Sequence, residues 1–226
     1  MPMVTITVQG GQSFSFHKDV LIENSLYFEK ALNGNFIESQ TQSIDLDDID
    51  AETFGLYASL VYPAAAINRS LSLSDVWTTG KTTKFPWKDI LRLWQLADRF
   101  LNQKIMLIVR FELDKRFGEL SIDRWLGRYQ NTKWSYIKAY VAGLNAAYRL
   151  CDLEGIPFQQ RFIDGLGNCP PQILAECVEE LDDDFKSAVV KKFALRLADP
   201  DVTAKKRMGD EMREAKRSAK KQKRSE

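Results

Sequence analysis

One change of period constrains this chain more than any other feature in it. Over the first sixteen residues apolar side chains recur at every second position, and beyond them they recur at every third or fourth. Val4, Ile6 and Val8 alternate with Thr5, Thr7 and Gln9, and Phe14 and Phe16 resume the alternation around Ser15. Alternation of this kind turns one face of an extended strand to a core and the other to water. Gly10-Gly11 supplies the residues that accept a tight turn, so the segment reads as a β-hairpin. A lone hairpin is marginal in water, and cover must come from the helices that follow. The expected class is therefore α+β with segregated elements, a short β-hairpin or sheet flanked by a helical cluster.

The helical part reads in order. A short helix is expected over 18–23, and Ser25 suits the N-cap of a second over 26–32, with Gly34 just past its end. Ser43-Ile44-Asp45-Leu46 is a brief third strand. Asp50 can cap the next helix, whose apolar face is Phe54, Tyr57, Ala58 and Val61. Pro63 disfavours helical geometry at Tyr62, so that helix is expected to stop there. Residues 63–85 are rich in Ser, Thr, Gly and Pro and read as a long loop insertion. Periodicity returns after Pro86 with Ile90, Leu93, Trp94 and Ala97, and then with Ile105, Val109 and Leu113 as far as about 117. A helix over 134–150 carries Ile137, Tyr140, Val141, Leu144 and Tyr148, and shorter ones are expected near 157–166, 171–181 and 183–198.

With 226 residues the chain can bury a core without metal or disulfide staples. Its three cysteines, Cys151, Cys169 and Cys177, are odd in number and widely spaced, the pattern of reduced thiols. No apolar run approaches the ~18 residues of a membrane span, and the N-terminal residues lack the charged and apolar regions of a signal peptide. An intracellular protein without membrane association is expected. The net charge of +1 hides a division. Residues 205–226 hold ten Lys/Arg against four Asp/Glu, a balance of +6, which leaves 22 against 27, or −5, in 1–204. After Leu197 the chain has no aromatic residue and no Leu, Ile or Phe, so 199–226 is expected to be a disordered basic tail.

Within this order the residues take on a familiar form. Phe14-Ser-Phe-His-Lys-Asp-Val-Leu21 followed by Ser25-Leu-Tyr-Phe28 resembles the opening signature of BTB/POZ domains. Phe36-Ile-Glu38, Ile44-Asp-Leu46, Phe54 to Tyr62 and Leu96-Ala-Asp-Arg-Phe100 resemble four later segments of the same family, in the same order. The resemblance implies a BTB/POZ-like domain over 1–117 with the insertion 63–85, followed by an α-helical C-terminal extension over 118–198. The insertion and extension resemble the fungal single-BTB proteins. The implied function is a non-enzymatic protein–protein interaction module, with a homo- or heterodimer as its implied assembly. Dimerising members usually carry an additional helix and strand ahead of the first hairpin, whereas three residues precede Val4 here.

The chemistry-bearing residues point the same way. His17 is the single histidine. A Ser-His-Asp triad would need it as base and a zinc site would need companions, while its place after a strand resembles a structural histidine of the family. The cysteines lack metal-ligand spacing, and Cys177 shares an apolar stripe with Leu174, Val178 and Leu181. Gly10-Gly11 lacks the Lys-Ser/Thr of a phosphate loop, and Asp182-Asp183-Asp184 reads as charge at a helix N-terminus. No catalytic residue, metal or cofactor is expected. By resemblance, Phe36 and Glu38 form a hydrophobic-x-Glu motif that contacts cullin-3 in ubiquitin-ligase adaptors. The alternative is that Phe36 folds back into its own core and Glu38 is solvated. In the tail, Lys206-Arg207 and, twelve residues on, Lys220, Lys221, Lys223 and Arg224 have the spacing of a bipartite nuclear-import signal. Import by a carrier, with residence in nucleus or cytoplasm, is the expected role. Nucleic-acid binding is the alternative, although no aromatic interleaves those charges to stack a single strand.

Overall fold

The computed structural model describes residues 2–66 and 86–198. Strands β1 (Met3–Val8) and β2 (Ser13–His17) pair antiparallel with Ile6 opposite Phe14 and Val4 opposite Phe16. Gly10 and Gly11 take φ of +84° and +80°, which lets Gly11 N–H reach the Val8 carbonyl at 3.0 Å. Strand β3 (Ser43–Leu46) lies parallel on the other edge of β1, with Ile6 opposite Ile44 and Val8 opposite Leu46, so the order is β2-β1-β3. Val4, Ile6, Val8, Phe16, Ile44 and Leu46 are all buried on one face, as the alternation requires.

A parallel neighbour needs a crossover, and the chain between β2 and β3 supplies it as three helices: α1 (Lys18–Asn24), α2 (Leu26–Asn33) and α3 (Ile37–Thr41). Buried Ser25 is the N-cap of α2: its Oγ accepts from Phe28 N–H at 3.2 Å and donates to the Phe100 carbonyl at 2.5 Å. Next come α4 (Ala51–Ala66), α5 (Trp87–Arg99) and α6 (Gln103–Gly118). Asp50 caps α4 through Thr53 N–H and hydroxyl, at 2.8 and 2.7 Å. Asn102 caps α6 by accepting from Ile105 N–H at 3.1 Å, and its amide donates to Tyr57 Oη at 3.1 Å. Burial raises the Tyr57 phenol well above its usual range. Around Phe100 the core is aromatic, with Phe28 at 4.9 Å and Tyr57 at 5.0 Å between ring centroids.

The remaining helices are α7 (Ile122–Asn131), α8 (Trp134–Glu154), α9 (Gln159–Gly167), α10 (Pro171–Cys177) and α11 (Asp183–Ala198), with a 3-10 turn at Val178–Glu180. The chain divides into two compact units: Met1–Glu119 with Ala146–Pro157, and Leu120–Asn145 with the described part of Phe158–Glu226. Helix α8 contributes to both. Its last turn joins the first unit through Arg92, which bonds Asp50 at 3.3 Å and Glu154 at 3.6 Å. In the second unit Trp125 is fully buried and donates its indole N–H to the Gly165 carbonyl at 2.9 Å.

Four expectations need correction. Helix α4 runs through Pro63 to Ala66 instead of stopping at Tyr62. Proline forfeits one helical bond, but Val61 and Ala64 bury on either side of it and His17 holds the Tyr62 hydroxyl, so tertiary packing carries the extra turn. Residues 63–66 are thus helical, and the rest of the expected insertion lies outside the described residues. On the buried face of α4, Leu60 is fully enclosed and Ala58 only half-buried. The segment after Phe36, where no helix was expected, is the short helix α3. Finally, α7 was not anticipated, although Ile122, Trp125, Leu126 and Tyr129 recur at i, i+3, i+4 and i+7; of these Trp125 alone is buried.

Candidate functional site

Phe36 and Glu38 lie where α2 ends and α3 begins. Gly34 closes α2, its N–H bonding the Lys30 carbonyl at 2.9 Å. A Cβ at Gly34 would overlap that carbonyl and approach Phe36 Cδ2 to 3.1 Å, so only glycine leaves the Phe36 ring its seat. Phe36 is the N-cap residue of α3, and its carbonyl accepts from Ser39 Oγ at 2.7 Å and Ser39 N–H at 3.2 Å. Thr41 Oγ1 donates to the Ile37 carbonyl at 3.1 Å, and Gln42 Nε2 to the Ser39 carbonyl at 2.5 Å. Gln42 ends the helix with φ of +52°, and its carbonyl accepts from Thr5 N–H at 3.1 Å, tying the turn to β1. These bonds hold a five-residue helix that propensity alone would not sustain.

On this fixed turn Phe36 is 58% and Ile37 66% exposed. Phe36 therefore does not fold back into the core. Glu38 is half-buried, near enough to the Tyr27 phenol for its charge to be felt there. Burial raises the Tyr27 phenol above its ordinary value; the nearby Arg99 lowers it, and Glu38 and Asp48 raise it. Arg99 grips Asp48 with both guanidinium nitrogens, Nη1 on Oδ2 and Nη2 on Oδ1, the latter at 3.1 Å. That bond holds the Asp48 carboxyl below the usual carboxylate range and raises Arg99. The result is an apolar pair, Phe36 and Ile37, beside a polar border of Glu38, Tyr27 and the Asp48–Arg99 clamp. Chemically this arrangement can seat against a partner's apolar pocket and exchange hydrogen bonds at its edge.

Sequence reasoning singled out Phe36 and Glu38 and missed Ile37, Tyr27, Asp48 and Arg99. Tyr27 and Arg99 stand in segments already noted for other reasons, but their neighbourhood to Glu38 is set by tertiary packing. His17 lies elsewhere, its Nδ1 2.9 Å from Tyr62 Oη and its N–H donating to the same oxygen at 3.1 Å. Cys151, Cys169 and Cys177 are buried and form no disulfide with one another, and burial pushes the Cys169 thiol up to about 12. Among the described residues no group of three or more His, Cys, Asp or Glu gathers as a metal site, and no helix is long and apolar enough to cross a membrane. The import-like residues Lys206, Arg207, Lys220, Lys221, Lys223 and Arg224 lie outside the described residues.

Compared with known proteins, the family model of the BTB/POZ domain matches residues 3–115, half of the chain. The chain belongs to the BTB/POZ domain family. It is also similar to Kelch repeat and BTB domain-containing protein 8 of Rattus norvegicus, 25% identical over 83 residues. The matched stretch is 37% of this chain and 14% of that protein's length. The α+β class with its small three-stranded sheet is the BTB fold. BTB domains are in general non-enzymatic modules of protein–protein interaction and dimerisation, and protein–protein interaction is the coarse function of this chain.

Proposed function

We propose that this BTB protein is a substrate adaptor that docks a cullin-3 ubiquitin-ligase scaffold through Phe36, Ile37 and Glu38. The observation that carries the reading is the exposure of two adjacent apolar side chains on a turn pinned at both ends, next to a half-buried carboxylate. A rigid apolar anchor loses little entropy on binding and is the usual centre of interface energy. Glu38, with the Asp48–Arg99 clamp near by, would set register at the rim.

The test is calorimetric titration of the full chain with the N-terminal region of cullin-3. Binding is expected, and Phe36→Ala should weaken it at least about tenfold, the effect of a hot-spot residue. Absence of binding, or binding unchanged in Phe36→Ala, overturns the adaptor reading.

A second reading concerns the tail and is supported by its charge. Ten Lys/Arg among residues 205–226 suit an import carrier or, failing that, nucleic acid. A fluorescent fusion that leaves the nucleus when 205–226 is removed supports import. Salt-dependent RNA or DNA binding lost with the same deletion supports the alternative.

A further inference from the structure

We propose that the elbow between α7 and α8 is a docking site for an acidic peptide segment of a protein partner. Residues 124–138 hold four basic residues (Arg124, Arg128, Lys133 and Lys138), no Asp or Glu, and four aromatics. The surrounding body is net acidic, so this is a local reversal of sign.

Within the second unit the fold brings Arg128 of this stretch onto Trp125 and Tyr140, and Trp134 onto Tyr129. Arg124 and Arg128 are one turn apart on α7, Lys133 stands just ahead of α8 with its carbonyl accepting from Tyr136 N–H at 3.0 Å, and Tyr136 and Tyr140 are one turn apart on α8. The Arg128 guanidinium lies 4.1 Å from the Tyr140 ring centroid and 5.3 Å from that of Trp125. Trp125 is itself fixed by its bond to the Gly165 carbonyl, so Arg128 rests on a rigid aromatic floor. Arg124 and Lys133 are exposed, and neither has a carboxylate within salt-bridge distance among the described residues. Lys138 differs, since Glu180 engages it at 3.3 Å. Tyr136 is 67% exposed.

Charge complementarity selects an anion, and the aromatic geometry selects which kind. A single-stranded nucleic acid wants successive open ring faces. Here Trp125 is buried, Tyr140 is covered by Arg128, and Trp134, 40% exposed, meets Tyr129 edge to face at 5.9 Å, which leaves Tyr136 as the most exposed ring of the five. That ring, flanked by exposed cations, fits a peptide with carboxylates on either side of an apolar side chain. The carboxylates would pair with Arg124 and Lys133, and the apolar group would lie against Tyr136. This site is separate in sequence from Phe36 and does not depend on cullin-3 binding.

The test uses the full chain, tail included, and fluorescence anisotropy of a labelled peptide of repeated Glu-Glu-Phe. Controls are the Gln-Gln-Phe counterpart and single-stranded oligonucleotides of similar length. The acidic peptide should bind in a salt-sensitive manner. Joint reversal by Arg124→Glu and Lys133→Glu should weaken it about tenfold at ~0.05 M salt, and Tyr136→Ala about threefold, with unchanged circular dichroism. If the double variant loses helix, Arg124→Gln and Tyr136→Ala alone decide. The proposal is overturned by no binding, by equal binding of the Gln peptide, or by binding indifferent to these substitutions, which assigns it to the tail. Oligonucleotides that bind more tightly with the same residue dependence overturn it in favour of a nucleic-acid surface.

Discussion

Phe28 and Phe36 carry the same side chain eight residues apart, yet one is fully buried and the other 58% exposed. Phe28 sits in the first turn of α2, where the Ser25 cap sets the helix phase and turns its ring to Phe100. Phe36 follows the Gly34 stop, and the next anchor of the chain is Gln42 on β1. Between the stop and that anchor the bonds of α3 fix the backbone with the Phe36 ring outside the core. Apolar character alone therefore says nothing about burial; the position of a helix end decides it.

Substitutions at and around the two phenylalanines probe this contrast, the largest effect coming first. Phe28→Ala should cost about 3–5 kcal/mol in urea denaturation, because it empties a site walled by aromatic rings. A cost below about 1 kcal/mol would mean that the cluster collapses around the gap. Gly34→Ala should cost about 1–3 kcal/mol, since its Cβ has to push aside the Lys30 carbonyl or the Phe36 ring. It should also weaken any partner that binds through Phe36, which titration with that partner reads directly.

Asp48→Asn should lose less than about 1 kcal/mol at neutral pH, because the clamp is solvent-exposed. Arg99 depresses the Asp48 carboxyl in the folded state, so its contribution is present above the unfolded value near ~3.9 and fades as pH falls through the lower folded value. Denaturation at stepped pH should show the wild-type advantage constant above about pH 4 and shrinking below it. Phe36→Ala should change stability least, within about 0.5 kcal/mol, while carrying the largest loss of partner affinity. A large stability loss there would break the contrast and make Phe36 a core residue after all.

Much of the fold is legible in the residues because each signal is local. The strand alternation, Gly10-Gly11, Ser25 and Asp50 each act within a few positions, and each operates in the structure as the expected turn or cap. In helix α7 the spacing of Ile122, Trp125, Leu126 and Tyr129 is a local signal too; that only Trp125 of them is buried was not legible, because it is held by a carbonyl forty residues away. Pro63 misled for a related reason: a local rule was outweighed by the packing of Val61 and Ala64 and the hold of His17 on Tyr62. At the candidate site, Phe36 and Glu38 were legible as a motif, but their neighbours were not. Tyr27 and the Asp48–Arg99 clamp come from three separate segments that nothing in the order of residues brings together.

What the sequence determined by itself is the class and family of this protein: a small sheet, a helical cluster, and five segments in the order of a BTB/POZ domain. Those properties follow from period, caps and turns, which are short-range. The tertiary structure decided which apolar residues remain outside, which carboxylate meets which guanidinium, and that Arg128 closes on Trp125 and Tyr140 at the α7–α8 elbow. Those properties depend on contacts between residues far apart in the chain, where packing and desolvation outweigh any local preference.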